Sequence, residues 1–149
     1  MPNADHSLGG SDALEGVLAY VLGFRDDKPR PTFTWKFEGD DTLRVESSDK
    51  PTKVQLWQAT NTKSRDFRVE TLGKVWKATD LTDQGNGVYV AKVSKPATGF
   101  TAFFVEMTYP SGQIVPYKFS TQVRVIPDVR PFAGQDPKTT KYEIPGPTM

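Results

Sequence analysis

The sequence predicts a mainly β chain: an antiparallel β-sandwich, entered by one N-terminal helix and left by a proline-rich C-terminal tail. Three observations carry this prediction. From Phe33 onward apolar and polar residues alternate with period two, the pattern of strands with one buried face. Turn-forming clusters interrupt the alternation at intervals of about 8–12 residues, the spacing of a sandwich or barrel. Ahead of Phe33, the apolar residues Leu14, Val17, Leu18 and Val21 recur at helical spacing instead.

The helix is placed at Asp12–Leu22, with Asp12 and Glu15 as a capping pair at its start and Gly23 at its end. Asp26-Asp27-Lys28-Pro29-Arg30-Pro31 then breaks the pattern, because each proline disfavours helical backbone in the residue before it. A boundary near Lys28 separates residues 1–28 from a sandwich domain over 29–126. Within that domain the alternation places strands around Phe33–Phe37, Leu43–Glu46 and Val54–Leu56, and further strands at Arg65–Glu70, Val75–Ala78, Val88–Val93, Thr101–Tyr109 and Ile114–Ile126. Seven or eight antiparallel strands in two sheets accommodate them. Gly39-Asp40-Asp41, Ser47–Pro51, Gly85-Asn86-Gly87, Pro96–Gly99 and Pro110-Ser111-Gly112 supply the turns. The last is the strongest hairpin signal, since proline presets one turn dihedral and glycine accepts a positive one. Pro116 has no amide to donate, so the first part of the final strand belongs at a sheet edge. Residues 127–149, rich in proline, form an extended or disordered tail with Phe132 or Tyr142 as its candidate anchors.

Composition narrows the chemistry. A chain of 149 residues is long enough to bury a core unaided. It has no cysteine, which excludes disulfides, a thiolate nucleophile and cysteine-based metal sites. Its formal charge of +1, with both signs interspersed, gives no footprint for nucleic acid or an anionic membrane surface. The apolar run Val17–Leu22 is far short of the roughly 20 residues of a membrane span, and the N-terminus lacks the order of a signal peptide. No phosphate-cradling loop, dinucleotide fingerprint or paired-histidine motif is present. A single histidine does not make a metal site, so neither cofactor nor metal is expected.

Few residues carry chemical potential. His6 is the sole histidine, and taken alone it reads as an exposed terminal side chain. Gly9-Gly10-Ser11-Asp12-Ala13 approximates a nucleophile elbow but lacks the preceding strand that would strain its serine. Asp5 and Glu15 suffice as helix-entry acids. Trp35, Trp57 and Trp76 either fill the sandwich core, the usual fate of strand aromatics, or form an exposed aromatic surface for a sugar ring. Lys63, Arg65, Arg68, Lys74 and Lys77, interleaved with Asp66 and Glu70, read as a solvated salt-bridged face, with a phosphate or acidic-partner site as the alternative.

A family resemblance adds to this reading. Pro2-Asn3-Ala4-Asp5-His6-Ser7-Leu8, the helix after it, Val54-Gln55-Leu56-Trp57-Gln58-Ala59-Thr60-Asn61, Arg65-Asp66-Phe67-Arg68 and the run Gly99–Pro110 resemble the C-terminal part of PhoPQ-activated pathogenicity-related proteins. The resemblance implies an α/β-hydrolase-like domain followed by a β-sandwich of immunoglobulin or fibronectin type III character. In such a hydrolase the triad runs serine, acid, histidine, and the histidine sits on a loop just ahead of the last helix. His6 occupies that place. Residues 1–28 would then be the histidine loop and final helix of a hydrolase-like domain whose nucleophile and acid lie N-terminal to Met1. Such a chain is expected to be catalytically inert by itself, an accessory module partnered in cis by the parent domain. The apolar helix face is expected to dock on the sandwich, self-associate or fray. The same resemblance suggests an exported protein. An independent carbohydrate- or protein-binding domain is the alternative.

Overall fold

The computed structural model describes residues 1–130; of the tail expected over 127–149, residues 131–149, with Phe132 and Tyr142, lie outside them. Helix α1 (Ala13–Arg25) precedes β1 (Phe33–Glu38), β2 (Thr42–Ser47) and β3 (Lys53–Asn61); a short helix α2 (Val69–Leu72) is followed by β4 (Lys77–Asp80), β5 (Val88–Lys92), β6 (Phe100–Tyr109), β7 (Tyr117–Ser120) and β8 (Arg124–Ile126). The strands form two antiparallel sheets. One has the order β1-β2-β5, the other β4-β3-β6-β7 with β8 also beside β6. The mainly β architecture with an N-terminal helix is therefore as the sequence predicts. The second sheet is built on β3 and β6, which pair along the whole of β3 from Lys53↔Thr108 to Asn61↔Phe100.

Period-two alternation turns one face of each sheet inward. Leu43 and Val45 of β2 with Tyr89 and Ala91 of β5 meet Val54 and Leu56 of β3 and Phe103, Val105, Met107 and Tyr109 of β6 in one core. Phe37 packs edge-on to Phe103 across the layers, with ring centroids 6.4 Å apart. A buried polar tie also crosses the core. The Ser47 hydroxyl donates to the Asp49 carbonyl at 2.6 Å and accepts from the Tyr109 hydroxyl at 2.8 Å. Burial pushes the Tyr109 phenol above its ordinary pKa. Because Ser47 keeps its bond to Asp49, Tyr109→Phe should cost only about 1 kcal/mol. The measurement is the urea midpoint at unchanged slope; an unaltered midpoint would show that this tie couples nothing.

Three expected strands come out differently. Arg65–Glu70 is not a strand. The Asp66 carboxylate accepts from the Arg68 amide at 3.1 Å, the Arg68 guanidinium at 2.7 Å and the Thr71 hydroxyl at 2.8 Å, while the Asn61 amide donates to the Asp66 carbonyl at 2.7 Å. These local bonds close a turn into α2 and displace a sheet ladder. The Val75–Ala78 strand starts later, at Lys77, because the backbone of Trp76 is already bonded to the Asn3 side chain. Ile114–Ile126 divides into β7 and β8. Both lie beside β6, but the register steps by one residue between Glu106↔Ser120 and Phe103↔Arg124, which is a β-bulge. Thr121 fills the step, its amide donating to the Val105 carbonyl at 2.9 Å and its hydroxyl accepting from the Val105 amide at 3.0 Å. Pro116 immediately precedes β7, at the sheet edge.

The helix differs in its ends and in its orientation. The Asp12–Glu15 capping pair does not form: Asp12 makes no side-chain cap, and its carboxylate binds Lys118 of β7 instead. Gly23 does not end α1, which runs on to Arg25. Its buried residues are Ala19 and Gly23, one turn apart and therefore on one face. Gly23 is seated on the ring of Tyr117, and Asp26 binds the Gln113 amide at 2.6 Å. The stripe that announced the helix faces away from the sandwich: Leu14 is 83% exposed and Val17, Leu18 and Val21 are exposed with it, and Phe24, in the turn beyond the expected end, is 78% exposed.

Candidate functional site: the histidine loop

Residues 1–8 lie against the outer face of the second sheet. That face is apolar because Ala59 of β3 and Ala102 and Phe104 of β6, opposite in alternation to the core residues, are also buried. Trp76 packs on Phe104 with centroids 5.6 Å apart, and Phe67 on Trp76 at 6.3 Å. Asn3 joins the loop to this layer: its Nδ2 donates to the Trp76 carbonyl and its Oδ1 accepts from the Trp76 amide, each at 3.0 Å. Asn3 has φ 58°, a left-handed conformation that asparagine tolerates better than most residues.

The loop then folds on itself. Asp5 Oδ1 accepts from the Ser7 amide at 2.8 Å and the Ser7 hydroxyl at 2.5 Å. Ser7 Oγ accepts from the Gly9 amide at 3.1 Å, and the Leu8 amide donates to the Asp5 carbonyl at 3.1 Å. The Ser7 hydroxyl, followed by the Ser7 amide, holds the Asp5 carboxyl below its ordinary pKa. His6 stands exposed at the crest of this turn. Adjacent Asp5 and Ser7 do not complete a triad with it, since their side chains bond each other. Downstream, the carboxylate of Asp12 is tied to Lys118, with Glu15 4.0 Å from the same ammonium. The segment from Asn3 to Asp12 thus crosses the outer face from beside the β4 edge to β7 at the other.

Between the loop and the α2 turn runs a groove of about 650 Å³, walled by Met1–His6 and Leu8 on one side and Phe67–Glu70 on the other, with Trp76, Phe104 and Val123 also lining it. Of its residues the sequence singled out His6, Trp76, Asp5, Arg68 and Glu70, without placing them together. Asn3, Phe67 and Phe104 carried no local signal for this role.

The tryptophans occupy separate places, and none belongs to the fully buried core. Trp35 shares the inward face of β1 with Phe33 and Phe37, but on this edge strand it is 43% exposed. Trp57 and Trp76 are half-buried on the far side of the second sheet, with the Trp57 indole donating to Glu106 at 3.3 Å. A single aromatic platform is not formed. In the basic segment Arg68 pairs with Asp66 at 2.7 Å and Arg65 lies 3.9 Å from Asp128, while Lys63, Lys74 and Lys77 are exposed. Among the described residues no three histidine, aspartate or glutamate side chains are placed to hold a metal, and no helix is long and apolar enough to cross a membrane.

Comparison with known proteins bears on the loop directly. A family model described as PhoPQ-activated pathogenicity-related protein matches residues 1–68, which span the histidine loop, α1 and β1 to β3. Autocrine proliferation repressor protein A of Dictyostelium discoideum is 32% identical over 157 residues, covering 89% of this chain and 32% of that protein. The chain therefore spans about a third of the length of the curated relative it matches. No solved structure matches it.

Proposed function

We propose, from the premise that residues 1–68 belong to the PhoPQ-activated pathogenicity-related family, that this chain is a non-catalytic accessory module. It carries the histidine loop and final helix of an α/β-hydrolase-like protein and presents them to a domain formed by chain that precedes Met1. The observation that carries this reading is the orientation of α1. Burying apolar side chains is the main reason an amphipathic helix is stable in a protein, yet α1 buries Ala19 and Gly23 and leaves Leu14, Val17, Val21 and Phe24 in solvent. A contiguous apolar face of this kind marks an interaction site. The occupant in cis is supported by the two-thirds of the Dictyostelium relative that lies outside the match. His6 would be the base of the completed triad, and the reading of the body as immunoglobulin- or fibronectin type III-like belongs to the same proposal, supported by its two facing antiparallel sheets. A sugar-binding surface is disfavoured by the dispersal of Trp35, Trp57 and Trp76.

The test uses a serine-directed fluorophosphonate probe on the longer protein and on this chain. The longer protein should label and this chain should not; His6→Ala in the longer protein should slow labelling by roughly 10³-fold or more. Leu18→Glu with Val21→Glu should expose the junction between the two parts to protease. Labelling of this chain alone, or of the His6→Ala protein at the wild-type rate, would overturn the proposal.

A further inference from the structure

The hydrogen-bond pair between Asn3 and Trp76 gives the histidine loop a mechanical partner. A primary amide offers one acceptor and a donor in the geometry of a peptide group. Asn3 uses both on the same residue, at 3.0 Å each, so its side chain stands beside Trp76 as a neighbouring strand would. Two bonds to the backbone of one residue fix rotation as well as position. Trp76 is itself held, its ring packed on Phe104 and Phe67 and its indole donating to the Phe67 carbonyl at 3.4 Å. Between Asn3 and His6 there is no glycine, and the Asp5–Ser7 turn removes the remaining slack.

We infer that Asn3 is a positioning residue for His6: through the clamp on Trp76 the sandwich, 73 residues further along the chain, sets where the imidazole stands. The role in catalysis rests on the reading of His6 given above; the clamp itself does not. Misplacing a catalytic group by about 1 Å can cost on the order of 10²-fold in rate, which is the service a rigid anchor would render.

The single histidine makes the test unambiguous, because its imidazole gives one set of carbon-bound proton signals in this chain. Asn3→Ala should shift and narrow those signals toward those of a flexible peptide. It should also accelerate amide exchange at Trp76 by about tenfold or more, with the thermal midpoint of the sandwich unmoved. Asn3→Asp, which keeps the acceptor but loses the donor, should fall between. His6 signals identical in Asn3→Ala and wild type would overturn the inference, whether or not Trp76 exchange changed; so would Asn3→Asp behaving like Asn3→Ala in a chain whose Trp76 amide stays protected. Failure of His6→Ala to slow probe labelling would instead remove the catalytic reading and leave the clamp standing.

Discussion

Replacing Phe103 with alanine should destabilise the chain by about 3–5 kcal/mol, a large share of the roughly 5–15 kcal/mol that holds a domain of ordinary size together. Phe103 is 0% exposed and sits on β6 between β3, where it pairs with Gln58, and β8, where it pairs with Arg124. Its ring reaches the opposite sheet and meets Phe37 edge-on. Truncation therefore leaves a void bounded by both layers, and neither can collapse into it without breaking ladder bonds. Urea denaturation should show a lower midpoint at unchanged slope. Ile114→Ala, at a residue 83% exposed, should stay within about 0.5 kcal/mol. A loss below about 1 kcal/mol for Phe103→Ala would mean that the two sheets do not meet at this point.

Phe103 also shows why the body of the fold was legible. Phe103, Val105, Met107 and Tyr109 alternate with polar or outward residues, and the strand they predicted is β6 to within one residue. Where local chemistry competes with alternation, the pattern misleads. Arg65–Glu70 alternates well enough for a strand, but the Asp66 carboxylate can satisfy the Arg68 amide and the Thr71 hydroxyl within a few residues, and a turn stands there instead. The break between β7 and β8 was hidden for a different reason: a one-residue bulge filled by a threonine hydroxyl leaves no mark on hydropathy.

The site was legible in part. Periodicity found the apolar stripe of α1 but not its direction, since the contact that orients the helix is made by Ala19 and Gly23, whose contribution is closeness of approach and not apolar area. The position of His6 came from family resemblance, and no residue pattern links Asn3 to Trp76 across the chain. What the structure adds is that residues 1–28, which composition separates from the sandwich, are fastened to it by Asn3, Asp12, Gly23 and Asp26.

The seating of α1 can be tested at its tightest point. Alanine is a better helix former than glycine by about 1 kcal/mol, so Gly23→Ala in an undocked helix should stabilise it. In this structure a Cβ at position 23 would lie 1.9 Å from the Tyr117 hydroxyl, and the tyrosine has little room to yield: it is 5% exposed and its ring packs on Phe119 at 5.9 Å. Gly23→Ala is therefore expected to cost about 1–3 kcal/mol through overpacking. The Tyr117 hydroxyl is buried without a hydrogen-bond partner among the described residues, so Tyr117→Phe should be neutral or stabilising by up to about 1 kcal/mol. In that background the nearest ring atom to the new Cβ is 3.0 Å away, a separation that shifts of a few tenths of an ångström relieve. The double variant should recover most of the loss, giving a coupling of about 1–2 kcal/mol in a four-variant cycle measured by urea denaturation. Additive effects, or a gain from Gly23→Ala alone, would place α1 off the sheet. The outward face of Leu14, Val17, Val21 and Phe24 would then be a property of a loose helix and not a surface held ready for a partner domain.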